Sequence, residues 1–417
     1  MTATTKRPST TATTTPAEST ADTGGGRSPA VLLAVIALCT AVTAANIYLA
    51  APLLGLIARS FGVAPSATGW IASISQLGYA IGLLFFAPLG DTADRRRLVA
   101  VLSGLAGVAL IAAGLAPGLP ALAAAVLVAC AATVVPQLLV PLVAERAPAD
   151  RRGRHVAAVV AGLFTGIVAA RVLGSLAGQA FGWRAVFFGA AALTVAVGLL
   201  TAALLPAETR PRRASHPLKA IAGLPRLLAG SADLRAACLR QGGLFGAWSS
   251  LWTTLALLLT GSGPYHLSTG TAGLFGLFGL TSTAVAPVSG TLIDRFGPQR
   301  VVTAAYGLAA VSVPLFWLGG HQLWALCAGA VLIHAGLMCG QVANQTRALA
   351  ATATPAAANT TYVVAAFIGG ASASALAGPA FDHWGWNGVC AIAVASVVIG
   401  WTGGLLAGPS KARAARA

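Results

Sequence analysis

The pattern Ala87-Pro88-Leu89-Gly90-Asp91, followed by Arg95, Arg96 and Arg97, returns 203 residues later as Gly290-Thr291-Leu292-Ile293-Asp294, followed by Arg295, Gly297 and Arg300. Aligned on Asp91 and Asp294, Arg97 falls on Arg300, Val99 on Val302 and Gly104 on Gly307. Far downstream the same offset sets Gly182-Trp183 on Gly385-Trp386. Internal symmetry held over such a distance means one unit has been duplicated, so the chain must fold as two equivalent halves.

Those halves are too apolar for water. Of the 417 residues, 57% are hydrophobic and 9% charged, and the mean hydropathy is +0.80. One soluble core cannot hide that much apolar surface, so lipid is the expected solvent. The net charge of +16 is scattered over short loops without a nucleic-acid motif, which argues against a nucleic-acid partner. Cys39, Cys130, Cys238, Cys327, Cys339 and Cys390 lie in or beside apolar segments, with neither paired nor metal-ligand spacing. They read as small core residues, and no metal or cofactor is expected.

Stretches of about 20 apolar residues occur twelve times, at 30–57, 67–89, 98–116, 120–144, 156–179, 185–205, 237–260, 270–292, 301–319, 322–345, 357–380 and 387–408. The predicted fold is an all-α membrane protein with twelve transmembrane helices in two pseudo-symmetric six-helix bundles. Residues 1–29, rich in Thr, Ala and Ser, form an expected disordered tail. The bundles span 30–206 and 237–408, joined by a basic, Pro-punctuated linker at 207–236 and followed by a tail at 409–417. With both termini on one side, 23 basic residues fall on that side, two (Arg59 and Arg184) on the other, and Arg171 inside a span. Positive charge stays inside, so both termini and the linker are expected in the cytoplasm. Arg far outnumbers Lys and Ala is abundant, as in GC-rich bacterial genomes, which suits a bacterial inner membrane.

These features resemble the major facilitator superfamily over residues 30–408, and within it the twelve-span bacterial drug and sugar efflux permeases of the drug:proton antiporter type. The residues that carry the resemblance are the two loop signatures, Asn46-Ile47-Tyr48 and Pro52-Leu53-Leu54 of the first span, Arg151-Arg152-Gly153-Arg154, and Gly182-Trp183-Arg184. Departures are Ala87, Thr92 and Asp94 in the first signature, the absence of the antiporters' usual arginine from 131–137, and Ala170-Arg171 where a Gly-Pro belongs. Gly162, Gly166, Gly174 and Gly178 keep the close-packing spacing.

The resemblance implies a monomeric secondary transporter, not an enzyme, that exports a small drug-like molecule or metabolite by alternating access with proton antiport. Uptake or uniport of a sugar or metabolite without proton coupling stays open, as does a non-transporting membrane sensor. It also implies a cytoplasmic gate built from Asp91, Arg95, Arg96, Asp294 and Arg295, latching the halves when the site faces outward. Positive charge retained inside for topology alone would leave the same arginines there.

The residues themselves narrow the site. All ten acids lie in tails, loops or helix ends, so no span carries a central carboxylate. Proton relays in membranes are built from buried Asp, Glu or His, which leaves His334 as the candidate proton carrier, or as a neutral imidazole bridging helices. Arg171 is costly in a span and either snorkels to the surface or faces a central cavity. In a cavity it would disfavour organic cations and suit anionic, zwitterionic or neutral polar ligands. Asn46, Gln137 and Gln341 are further candidate ligands, although an interhelical hydrogen bond is the plainer reading of each. Phe245, Trp248 and Trp252 recur on one helix face, as packing or as a binding wall.

Overall fold

Lipid offers a backbone no hydrogen-bond partner, so each apolar stretch closes its bonds within a helix. The computed structural model describes residues 29–91, 93–148, 151–205, 217–261 and 263–407. The first half comprises α1 (Pro29–Tyr48), α2 (Leu54–Phe61), α3 (Trp70–Phe86), α4 (Arg95–Gly114), α5 (Leu119–Ala132), α6 (Val135–Arg146), α7 (Arg152–Phe181) and α8 (Trp183–Leu204). After α9 (Pro217–Gly230), the second half comprises α10 (Ala232–Thr260), α11 (Thr269–Gly273), α12 (Leu280–Phe296), α13 (Pro298–Leu318), α14 (Leu323–Ala350) and α15 (Pro355–Leu406).

Eleven stretches among the described residues are long and apolar enough to cross a membrane, where the sequence pattern predicts twelve. The difference lies in α15. As one helix its 52 residues would run about 78 Å, against a hydrocarbon core of about 30 Å. Its helix is interrupted at Gly385 (φ 60°), where two helices meet. Gly182, the matching residue of the first half, sits at φ 82° between α7 and α8. Both corners need a left-handed backbone that only glycine adopts at little cost, which is why Gly-Trp recurs in the sequence. Other spans break at prolines: Pro52 in the 3-10 turn Ala51–Leu53, and Pro136 just after Thr133 and Val134, between α5 and α6.

Small residues bring the helices of each half together. Gly162 and Gly166 of α7 press on the carbonyls of Ala37 and Ala41 in α1, and Gly242 of α10 meets Gly369 of α15. Outward, Val101, Val108, Leu115, Leu376 and Ile399 stay more than half exposed, as lipid-facing residues do. Exposed Trp70, Trp317, Trp324 and Trp384 all lie at one end of the bundle, like an interfacial aromatic belt. The loops with Arg95 to Arg97 and Arg295 to Arg300 lie at the other. These are called the tryptophan end and the arginine end.

The halves meet along α7 against α11 and α12, and along α3 against α15. Within the stretch expected as a linker, 217–230 is helical. There α9 sets Leu227 and Leu228 on a cluster of Leu234, Cys238, Ala348 and Tyr362 while also touching α3 of the other half. The expected tails lie outside the described residues, except for Pro29, which opens α1, and so does 206–216 of the linker region.

Candidate functional site

A cavity of about 200 Å3 lies between the halves. Four of the helices around it present single faces at helical spacing. These are Ala44, Ile47 and Tyr48 of α1; Phe164, Ile167, Val168 and Arg171 of α7; Phe245 and Trp248 of α10; and His334, Leu337, Met338, Gln341 and Gln345 of α14. The face of α7 away from the cavity is the one whose Gly162 and Gly166 press on α1, so the glycine packing aims Arg171 inward. From Arg171 the cavity runs toward the arginine end, as far as Gln345 and Asn359.

At the tryptophan end the halves are in contact, leaving only a cleft of about 40 Å3 between Pro52, Thr269 and Arg171. The Ala51–Leu53 turn and α11 pack against α7 and α10, and Gln179 Oε1 accepts the Gly270 N–H at 2.6 Å. Slightly deeper, Gln76 donates to Ser249 across the halves, and the Tyr79 and Phe367 rings sit 4.6 Å apart.

Arg171 is 6% exposed. Its guanidinium carbon lies 4.7 Å from the Trp248 ring, 5.3 Å from Tyr48 and 5.4 Å from Trp252. Arg171 and Tyr48 belong to the first half and the tryptophans to the second, so the cage spans the division between them. No described residue accepts a hydrogen bond from this guanidinium, and no carboxylate lines the cavity. Snorkelling does not describe this side chain, which is held in the interior by rings.

His334 has both ring nitrogens engaged. Nδ1 lies 2.8 Å from the Ala330 carbonyl and Nε2 accepts the Trp248 indole N–H at 3.2 Å. That pairing is the neutral tautomer with its proton on Nδ1. Trp252 stands edge-on to the imidazole at 4.4 Å. Trp248 therefore touches Arg171 with its face and His334 with its N–H.

Gln137 lines the cavity and donates to the Tyr79 hydroxyl at 3.2 Å. Gln341 lines it further toward the arginine end, beside a Gln345 whose amide donates to Asn359 Oδ1 at 2.7 Å. The structure thus gathers Arg171, Gln137, Gln341, Trp248 and His334 around one space, with Trp252 completing the cage outside that cavity's lining. Asn46 is placed elsewhere: its amide donates to Thr194 of α8 at 3.0 Å, inside the first half. Helical spacing explains this, since 44, 47 and 48 share the cavity face and 46 points away from it. The same spacing is the signal that would have singled out Tyr48.

Arg95 is buried and forks onto Glu145 of its own half at 2.7 and 2.9 Å, with Nε donating to the Gly90 carbonyl at 3.0 Å. Arg96 is exposed, and its backbone N–H donates to the Asp94 carboxylate at 2.9 Å. Asp294 and Arg295 are exposed; Asp294 makes no ion pair among the described residues, and Arg295 lies 5.2 Å over the Phe296 ring. Only the backbone of Asp91 falls among the described residues, ending the 3-10 turn Pro88–Asp91.

The sequence matches the family model described as Major Facilitator Superfamily over residues 36–263. A probable transporter of Streptomyces coelicolor, SCO4007, is 64% identical over 394 residues, covering 94% of this chain and 91% of that protein. A chloramphenicol resistance protein of Streptomyces lividans is 31% identical over 69% of this chain and 71% of its own length. Among solved structures, a bacterial homolog to the human lysosomal transporter Spinster, in an inward-facing and unoccupied conformation, matches with a TM-score of 0.70. The match covers 92% of this chain and 97% of that one at 16% identity, a level at which what is shared is the fold.

Proposed function

The chain belongs to the major facilitator superfamily, whose members are membrane transporters and not enzymes, and from that premise we propose that it exports a small organic molecule across the bacterial cytoplasmic membrane by alternating access. The observation that carries this reading is the cavity between the halves, which are in contact at the tryptophan end while the cavity runs toward the arginine end. Positive loops stay inside, so the arginine end is the cytoplasmic one and both termini lie there. A substrate then enters from the cytoplasm, as export requires. The 31% identical relative named for chloramphenicol resistance supports the outward direction.

Translocation is a rocking of 30–206 against 237–408, with the protein acting as a monomer. Opening the tryptophan end pulls Trp248 and Trp252 away from Arg171, because the cage is shared between the halves. Closing the arginine end brings the loop of Asp91, Arg95 and Arg96 toward that of Asp294 and Arg295, where exposed charges of both signs can latch. Gln137 and Gln341 then hold polar groups of the substrate, and Asn46 acts at a distance by fixing α1 on α8.

Proton antiport runs through His334. A proton reaches Nε2 only when the Trp248 N–H leaves it, and Trp248 is also the ring that covers Arg171. Access of a proton to His334 and the uncovering of Arg171 are thereby linked through one indole. A second reading, uniport without protons, is favoured by a different observation: both His334 nitrogens are satisfied and no carboxylate lines the cavity.

One experiment separates the readings: efflux of a mixed panel of compounds from an efflux-deficient bacterium, with and without nigericin, which collapses the pH gradient and leaves the membrane potential standing, for wild type and His334→Ala. Export that depends on the pH gradient in wild type and no longer does in the variant is the expected result. Export indifferent to the pH gradient in both selects uniport, and net accumulation of every transported compound overturns export.

A further inference from the structure

We propose that Arg171 is the receptor for an oxyanion, and that the molecule carried is an amphipathic organic acid bound through one carboxylate. The second clause rests on the transport reading above; the first stands on the site alone.

A guanidinium has five N–H donors and no acceptor. Arg171 as a residue is 6% exposed, no described residue takes a hydrogen bond from its guanidinium, and its nitrogens are not among the fully buried atoms, so the donors keep a small accessible surface on the cavity. The rings of Tyr48, Trp248 and Trp252 stabilise the charge through their faces. They leave the donors without acceptor atoms among the described residues, free to meet an oxyanion that enters the cavity. The side chain has little room to withdraw, because the residues leading into α12 press on its base: a Cβ on Gly276 would stand 2.7 Å from Arg171 Cβ. A planar carboxylate matches the fork of donors with two parallel bonds. It would be drawn to a positive site with no acid lining the same cavity, and an organic cation would be repelled.

The rest of the cavity describes the body of the ligand. Phe164, Phe245, Leu337 and Met338 offer an apolar wall beside the charge, and the amides of Gln137 and Gln341 lie further along. The ligand that fits all three regions has an anionic head, an apolar and preferably aromatic middle, and polar substituents at the far end.

The test is thermal unfolding and calorimetric binding of the purified full chain in detergent. The probes are benzoate and 2-naphthoate, each beside its neutral amide and its sulfonate counterpart, with a quaternary ammonium salt of similar size. Wild type should bind and be stabilised by the carboxylates, and prefer them to the amides by about 10- to 100-fold, the worth of a charge-assisted hydrogen bond. Arg171→Gln should erase that preference, and Arg171→Lys should keep attraction for anions while narrowing the advantage of the planar carboxylate. Amides binding as tightly as acids, or acids binding Arg171→Gln as tightly as wild type, would overturn the receptor. Sulfonates preferred over carboxylates would overturn the carboxylate and leave the oxyanion. Should Arg171→Gln not fold, the acid-to-amide ratio in wild type and Arg171→Lys decides. Acids that bind through Arg171 but do not move in proteoliposomes sink the transport reading and not this site.

Discussion

Between its second and third spans, the first half caps α4 with the Asp94 carboxylate and buries Arg95 under Glu145. At the matching loop of the second half, Gly297 takes φ 80°, Pro298 opens α13, and Asp294 and Arg295 remain exposed. The nearest counterpart of the Arg95–Glu145 pair is Arg347 with Asp233 at 3.1 Å, joining α14 to α10 rather than the third span to the fourth. Duplication has kept the path of the backbone while each copy found its own chemistry for it. The first half holds its loop by charge and the second by backbone geometry.

That asymmetry is open to attack, starting with the largest effect, in each case by thermal unfolding of the purified protein in detergent. Glu145→Gln removes the forked partner of a buried arginine and should cost about 2–3 kcal/mol. A loss no greater than that of Asp294→Asn would mean the two loops are equally dispensable. Gly297→Ala forces a side chain into a left-handed corner and should cost about 2 kcal/mol, whereas alanine at Asp94 loses only a cap, about 1 kcal/mol. Equal losses would erase the distinction between backbone and charge.

Next come the repeated tryptophans. Trp386 donates to the Phe316 carbonyl at 2.6 Å, while the Trp183 indole N–H has no acceptor among the described residues and its ring carries Arg184 on its face at 4.2 Å. Phenylalanine at 386 should therefore cost about 1 kcal/mol more than phenylalanine at 183; the reverse order would show that the Arg184 stack matters more than the hydrogen bond. Asp294→Asn, at an exposed site, should change stability by less than about 0.5 kcal/mol. Its expected consequence is kinetic, a faster return from the outward-facing state in single-turnover transport. A variant that is destabilised yet transports normally would take Asp294 out of the gate.

Much of the fold was legible because lipid writes it in a coarse script. Runs of about 20 apolar residues, the repeated Asp and Gly-Trp, and the sorting of arginines each answer to one strong constraint. The broken spans were harder. Pro136 marks the break before α6, but nothing local says that Thr133 and Val134 leave the helix. The helix at 217–230 read as linker because its apolar run is too short to span a membrane and is broken by Pro225, and its role, packing on Tyr362 and α3, depends on partners far along the chain. At the site, Arg171 and His334 stood out as rare polar residues in apolar spans. Their connection did not: an indole on α10 that touches both is a relation between helices, and only the packing of two halves creates it. Glu145 was hidden for the same reason, lying 50 residues from Arg95.

A fixed guanidinium with no acid across the cavity also makes the substrate part of an electrical circuit. With an anion aboard the moving site is neutral, and without one it carries a positive charge through the field. On the proposed reading each turn of the cycle transfers one negative charge outward in uniport, and two charges when a proton returns on His334, and an interior-negative membrane contributes about 2.3 kcal/mol per 100 mV for each charge moved. In the uniport case voltage alone would pull an organic acid out of the cell, and a membrane carboxylate would be dispensable.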